Sequence, residues 1–260
     1  VYVRQTDDLL NNVAIPSGTD FANSITKNIG SLENRGFEIK IDATPIQSEN
    51  FNWYVGFNYG YNENEITSLS EDNSSDVGLF NGSLLVNTVG YQRNTFYLYR
   101  QVYDANGSPI EDQMADLNGD GTINEKDRYR SESSVPRHNL GFNTTFNYKK
   151  LSLNMAFHAN LGHYIFFNPN DNLASIYDGI FRGNIHTNYY DSQFTQSGNA
   201  NQAFSDYYLQ DASFLKMDNI SLNYDLGNVF NTKNASSFAL SASVQNVFVL
   251  TDFEGGDPES

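Results

Sequence analysis

Asn139-Leu-Gly-Phe-Asn-Thr-Thr-Phe-Asn-Tyr-Lys-Lys-Leu-Ser-Leu-Asn-Met-Ala-Phe-His-Ala-Asn160 is the stretch whose reading decides the fold. Leu140, Phe142, Thr144, Phe146 and Tyr148 alternate with Asn139, Gly141, Asn143, Thr145 and Asn147. After Lys149-Lys150 the pattern resumes, with Leu151, Leu153, Met155, Phe157 and Ala159 alternating with Ser152, Asn154, Ala156, His158 and Asn160. A helix would scatter these two sets around its axis. A strand puts each set on one face, because successive side chains point to opposite sides. The stretch therefore predicts a hairpin of two strands with one oily face and one wet face.

Working outward, the same signature recurs on both sides. Phe37, Ile39, Ile41 and Ala43 alternate with Glu38, Lys40 and Asp42, and after a turn at 45–50 come Trp53, Val55, Phe57, Tyr59 and Tyr61. Downstream, Ile220, Leu222, Tyr224 and Leu226 precede a turn at 228–236 and then Phe238, Leu240, Ala242 and Val244. Val1–Thr6 reads as the end of one more strand, giving about seven. Segments 7–36, 62–136 and 162–212 read as long polar connections, with one short aromatic piece at Thr95–Arg100.

The connections alternate between short and very long, and the strands run about ten residues. Both features are those of an outer-membrane β-barrel with short periplasmic turns and long extracellular loops. A structureless loop as long as 62–136 does not belong inside a compact soluble domain. The expected fold is all-β, part of a large antiparallel transmembrane barrel. A closed barrel has no open edge, so the reading expects further strands before Val1 and after Ser260. A secreted, calcium-stabilised β-sandwich that binds glycans would share the alternation, but would bury its oily faces against each other. A passive porin or adhesin barrel also fits the periodicity.

The 260 residues carry a formal charge of −16, which argues against nucleic acid as a partner, since nothing offsets a row of phosphates. The absence of cysteine excludes disulfides and thiolate metal sites. There is no apolar run of helical membrane-spanning length, but barrel strands escape that test because their polar residues average out the oily ones. No signal peptide is visible at Val1.

The most specific motif for chemistry is Asp116-Leu-Asn-Gly-Asp-Gly-Thr-Ile-Asn-Glu-Lys-Asp127. Ca²⁺ needs six or more oxygens, and a twelve-residue loop of this kind offers Asp116, Asn118 and Asp120 at positions 1, 3 and 5. Gly121 allows the sharp turn, Thr122 offers its backbone carbonyl, Asn124 acts directly or through water, and Asp127 closes the loop. Gly107-Ser-Pro109 upstream and Ser131–Pro136 downstream leave no room for EF-hand helices. Asp127 is shorter than the usual bidentate Glu, so the expected site is structural and weak, roughly 10⁻⁴ to 10⁻³ M.

His138, His158, His163 and His186 form no metal spacing with carboxylates, and His158 is expected to face a polar lumen. The loop aromatics Tyr164, Phe166, Phe167, Tyr177, Phe181, Tyr189, Tyr190, Tyr207 and Tyr208 suit sugar stacking, partner packing, loop cores or an interface girdle equally. No nucleophile elbow, phosphate loop or acid/base pair is present, so no enzyme is expected.

Five blocks in order carry a family resemblance. They are Asn28-Ile-Gly-Ser-Leu-Glu-Asn-Arg-Gly-Phe-Glu38, Asn58-Tyr-Gly-Tyr-Asn-Glu-Asn-Glu-Ile66, Asp116 to Arg128, Ser213-Phe-Leu-Lys-Met-Asp-Asn-Ile-Ser-Leu-Asn-Tyr224 and Gln245-Asn-Val-Phe-Val-Leu-Thr-Asp-Phe-Glu-Gly-Gly-Asp-Pro-Glu259. Together the sequence resembles the C-terminal part of SusC/RagA-type TonB-dependent outer-membrane transporters of Bacteroidetes. The resemblance implies a barrel of about 22 strands with a plug, a SusD-like lipoprotein over the mouth, TonB energisation, and import of glycans or peptides. It also implies that residues 1–260 are one wall of that barrel, with the plug, the TonB-contacting segment, the earlier strands and the final strand elsewhere. Residues 104–136 would form an extracellular loop holding the calcium motif.

Overall fold

The computed structural model describes residues 1–8, 10–14, 24–28, 30–69, 77–168, 189–192, 194, 201–227 and 238–259. Its framework is one seven-stranded antiparallel sheet. The strands are β1 (Tyr2–Thr6), β2 (Gly30–Gln47), β3 (Phe51–Leu69), β4 (His138–Tyr148), β5 (Leu151–Leu161), β6 (Phe214–Gly227) and β7 (Phe238–Thr251). They lie in chain order across the sheet, each paired with its neighbour.

Because paired residues share a face, the ladder turns the sequence alternation into rows. Ile41, Phe57, Phe142, Phe157, Met217 and Phe248 form one unbroken row from β2 to β7. Ala43, Val55, Thr144, Met155, Ile220 and Val244 form the next. The opposite face carries Lys40, Asn58, Gly141, His158 and Lys216 in a row. None of Phe57, Phe142, Leu153 and Leu240 is buried, and Leu240 is 68% exposed. The oily face thus has no second sheet against it among the described residues, which removes the sandwich reading. An 11-residue strand such as β4 reaches roughly 35 Å, or about 25 Å of membrane thickness at barrel tilt.

Two glycines on the wet face are explained by their partners. Asn143 lies over Gly56, where a Cβ would come within 2.4 Å of its side-chain oxygen, and Asn58 lies over Gly141 in the same way at 2.3 Å. The amides fill the space that the missing side chains leave.

Two register shifts change the pattern at the far end. Asp218 is an extra residue in β6 between the pairs Met217–Phe157 and Asn219–Ala156, so the oily set passes from odd residues (Leu215, Met217) to even ones (Ile220, Leu222, Tyr224). A further extra residue in β7 lies near Asn246, whose φ of 50° is in the left-handed region that Asn tolerates. Both strands consequently run further than their alternation predicts: β6 starts at Phe214, and β7 continues to Thr251.

The structure also corrects the long connections. β2 and β3 run 18 and 19 residues, well past the oily segment, because the ladder continues through Asn62, Glu63, Asn64 and Glu65 after the apolar alternation stops. Segment 7–36 contains the paired strands Leu10–Ala14 and Ser24–Asn28 before β2. Segment 77–136 is a folded unit: Arg128–Ser133, Thr95–Tyr99, Leu85–Asn87 and Leu79–Asn81 make a four-stranded sheet, and Gln101–Tyr103 pairs with Pro109–Met114. All five residues of Thr95–Tyr99 are buried, together with Val86 and Met114. Much of the tightly packed core therefore sits in this connection, while the sheet's oily face stays open. The turn expected at 228–236 lies outside the described residues.

Candidate functional site

The motif at 116–127 closes the folded connection between Pro109–Met114 and Arg128–Ser133, and Glu125–Asp127 form a single 3₁₀ turn at its end. Its conformation follows from competition between side-chain oxygens and the backbone for N–H groups. Asp116 accepts from Gly119 N (2.7 Å) through Oδ1 and from Gly121 N (2.8 Å) through Oδ2. Asn118 Oδ1 accepts from Asp120 N (2.9 Å), and Asp120 Oδ1 accepts from Thr122 N (2.8 Å). Gly119 and Gly121 both have φ near +80°, which bends the chain so that its N–H groups turn back onto these oxygens.

Asp127 is fully buried and lies at the centre of the arrangement. Its Oδ1 accepts from Leu117 N (3.0 Å) and Asn118 N (3.3 Å), and its Oδ2 accepts from Asn124 N (2.9 Å). Asn124 returns the bond in a capping box by accepting from Lys126 N and the Asp127 backbone. The Asn124 amide hydrogen, with the Asn118 and Leu117 amides, holds the Asp127 carboxyl below the usual carboxylate range.

Asp116, Asp120 and Asp127 bring three carboxylates, and Asn118, Asn124 and the Thr122 carbonyl three neutral oxygens, to one short loop, and this all-oxygen donor set is the observation by which the loop fits Ca²⁺. Among the described residues no three acidic or imidazole side chains are gathered closely enough to form a metal site alone. A hard cation here must therefore also take the Asn118 amide oxygen and the Thr122 carbonyl. Thr122 O accepts from Asn124 Nδ2 at 2.9 Å and lies in the same turn system. The structure brings Asp116, Asn118, Asp120, Thr122, Asn124 and Asp127 into one loop.

Arg128, the next residue, pins that loop to the four-stranded sheet. Its guanidinium donates to the Tyr97 and Ser83 carbonyls and lies over the Tyr97 ring at 4.7 Å and the Phe204 ring at 4.9 Å. Burial pulls its pKa down from the ordinary value.

A second group of residues escaped the sequence reading altogether. Gln101 is buried and donates through Nε2 to the carbonyls of Val102, Ile110 and Gln113, while its Oε1 accepts from Gln202 Nε2 and Ser205 Oγ, both at 2.9 Å. Asp206 accepts from Gln101 N (2.8 Å) and Tyr129 OH (2.6 Å). These bonds knit the first long connection to residues 202–206 of the second. No signal in the sequence marks one Gln among many polar loop residues.

Of the loop aromatics, Phe166 packs on Phe96 and Tyr208, Phe194 packs on Tyr207 and Tyr208, and Phe167 packs on Phe253. Their packing marks a loop core, with Tyr190 exposed at 74%. Tyr177, Phe181 and His186 lie outside the described residues. A cleft of about 400 Å³ opens between the two connections, lined by Leu84, Leu85, Phe96, Phe166 and Phe204. His138 meets the Tyr59 hydroxyl at 2.8 Å, and His158 faces the wet side as expected.

No protein-family model matches the sequence. Over 272 aligned residues and 99% of its length, the chain is 37% identical to the TonB-dependent receptor SusC of Bacteroides thetaiotaomicron, covering 27% of that protein. It is 29% identical to TonB-dependent receptor P39 of Formosa agariphila over 99% of its length, covering 30% of that relative. The solved structure of the RagAB peptide transporter superposes with a TM-score of 0.77 at 24% identity, over 99% of this chain and 30% of that one. The chain thus spans between a quarter and a third of the proteins it matches.

Proposed function

Because this chain belongs to the TonB-dependent receptors of the SusC type, built on a large transmembrane β-barrel of the outer membrane, we propose that the intact protein is an active importer of nutrients. The observation that carries this reading is the 37% identity to SusC along nearly the entire chain. The oily rows from β2 to β7 meet the acyl chains, and the Asn, Ser and Gly rows line the lumen. TonB supplies the energy. A SusD-like lipoprotein sits over the mouth, and the cargo is glycan or peptide, too large for a passive pore.

In this reading the folded connection at 77–136 stands outside the cell, and Ca²⁺ held by Asp116, Asn118, Asp120, the Thr122 carbonyl, Asn124 and Asp127 ties down a segment that is entropically expensive to order. The ion supplies charge that offsets the Asp116, Asp120 and Asp127 carboxylates, while Gly121 and Asp127 hold the loop in shape. Deleting the gene for the intact protein and following growth on defined glycans and peptides tests import. Unchanged uptake of every substrate, or an intact protein that is soluble without detergent, overturns it. Calcium is tested separately in Asp116→Ala and Asp120→Ala, by loop proteolysis with and without chelator. Equal protection in wild type and variants under all conditions removes the metal.

A further inference from the structure

On the wet face, His158 of β5 and Lys216 of β6 stand directly opposite each other in the ladder. Two cationic side chains in that position repel. Glu259 lies between them, with Oε1 2.9 Å from His158 Nε2 and Oε2 2.9 Å from Lys216 Nζ. Lys216 Nζ also donates to Asp257 Oδ2 at 2.7 Å, and the other ring nitrogen of His158, Nδ1, meets Asp218 Oδ2 at 2.7 Å. Asp218 is the extra residue of the β6 bulge, so the register shift aims its carboxylate at the imidazole.

Both nitrogens of His158 therefore touch carboxylate oxygens. A neutral imidazole has one N–H and one lone pair, so one of these contacts would set lone pair against lone pair. Only the imidazolium, a donor at both ends, satisfies Asp218 and Glu259 together. Asp257 and Glu259 belong to the strap that follows β7, which crosses back over the sheet and is fastened to the second long connection at its other end. There Gln210 and Glu254 exchange two hydrogen bonds (3.1 and 3.0 Å), and Phe253 packs on Phe167.

We propose that residues 252–259 form a proton-regulated clasp on the inner wall, closed by the bridge Asp218–His158–Glu259 and loosened when His158 loses its proton. The charged groups around the imidazole are Lys216 and Asp218 from β6 and Asp257 and Glu259 from the strap; β4 presents Gly141, without charge. Beyond the Phe214 ring lies His163. With His158 neutral, Lys216 is left as the one cation among three carboxylates, and Glu259 keeps one partner in place of two. The clasp closes toward acid and opens toward alkali. Its effect is to couple the proton activity of the lumen to the base of the second connection, and it is independent of the cargo.

The test places a spin label on Gly256→Cys in the intact, membrane-embedded protein, where a Cβ meets nothing within 4 Å. Label mobility is followed by electron paramagnetic resonance from about pH 5 to pH 9, the range in which histidine titrates. The expected result is an immobile label at the acid end and a mobile component that grows through a one-proton transition. His158→Gln abolishes the transition, Glu259→Gln is mobile throughout, and Lys216→Gln keeps the transition from a looser start. A pH-independent wild-type spectrum overturns the clasp, as does an unchanged transition in His158→Gln. Should His158→Gln fail to assemble, the wild-type and Glu259→Gln titrations decide.

Discussion

The indole Nε1 of Trp53 donates to the Thr144 hydroxyl, 2.8 Å away across the β3–β4 ladder, and that hydroxyl donates in turn to the Tyr54 carbonyl at 3.0 Å. Thr144 belongs to the oily face yet is almost fully buried, so its polar atom is shielded by Trp53 and its neighbours. In contact with lipid, an unmet N–H has no water to turn to. Thr144→Val should destabilise the intact barrel by about 1–2 kcal/mol in a denaturant titration in lipid or detergent micelles. Thr144→Ser should retain most of the stability, and equal loss in both variants would assign the effect to packing.

The rows make the two faces separately testable at neighbouring positions. Phe142→Arg puts a charge near the middle of the oily belt and should cost about 2–4 kcal/mol. Asn143→Arg, one residue on, points to the wet side and should be tolerated far better. Comparing assembly of the two variants in outer membranes reads the difference, and equal tolerance would contradict the assignment of faces.

Gln101→Leu removes five hydrogen bonds at once and strands the carbonyls of Val102, Ile110 and Gln113 in a buried place. A loss of about 1–3 kcal/mol for each unsatisfied group is the usual scale, which exceeds what a local unit of this size tolerates. The expected outcome is protease cleavage in both long connections, with barrel assembly intact. Cleavage in the first connection alone would show that the two are not joined through this side chain.

Acid should loosen the loop at 116–127. Asp127 has a folded-state pKa below its unfolded value, held there by the Asn124, Asn118 and Leu117 amides. Its contribution is therefore present above the unfolded value of about 4 and is lost as pH falls through the depressed folded value. Hydrogen exchange of the Leu117, Asn118 and Asn124 amides should accelerate below about pH 4 in the wild type. Asp127→Asn should exchange fast at neutral pH and lose the acid step.

Much of the sheet was legible because period-two alternation survives wherever one face meets oil and the other meets water, as from Leu140 to Ala159. It failed at Asp218, where one inserted residue switches the parity and makes a continuous strand look like the end of one, and near Asn246, beyond which Val247-Phe-Val-Leu250 is apolar on both faces and has no alternation to read. It failed again in 77–136, where Thr95–Tyr99 is buried on both sides by a small local sheet and has no alternation to read. The loop motif was legible as oxygens at fixed spacing. The strap at 252–259 was visible as a family block, but its contacts with His158 and Lys216 join residues from three separate segments and leave no trace in local pattern.

The two extra residues, Asp218 in β6 and the one near Asn246 in β7, have a consequence for how this stretch can change over evolutionary time. Each is absorbed as an unpaired residue between matched pairs, so losing one regularises the ladder while Met217 stays opposite Phe157 and Phe248 stays opposite Met217, and single gains and losses of length are tolerated here. Relatives should therefore differ in length here one residue at a time, and those shortened at Asp218 should keep both faces and lose only the acid aimed at His158.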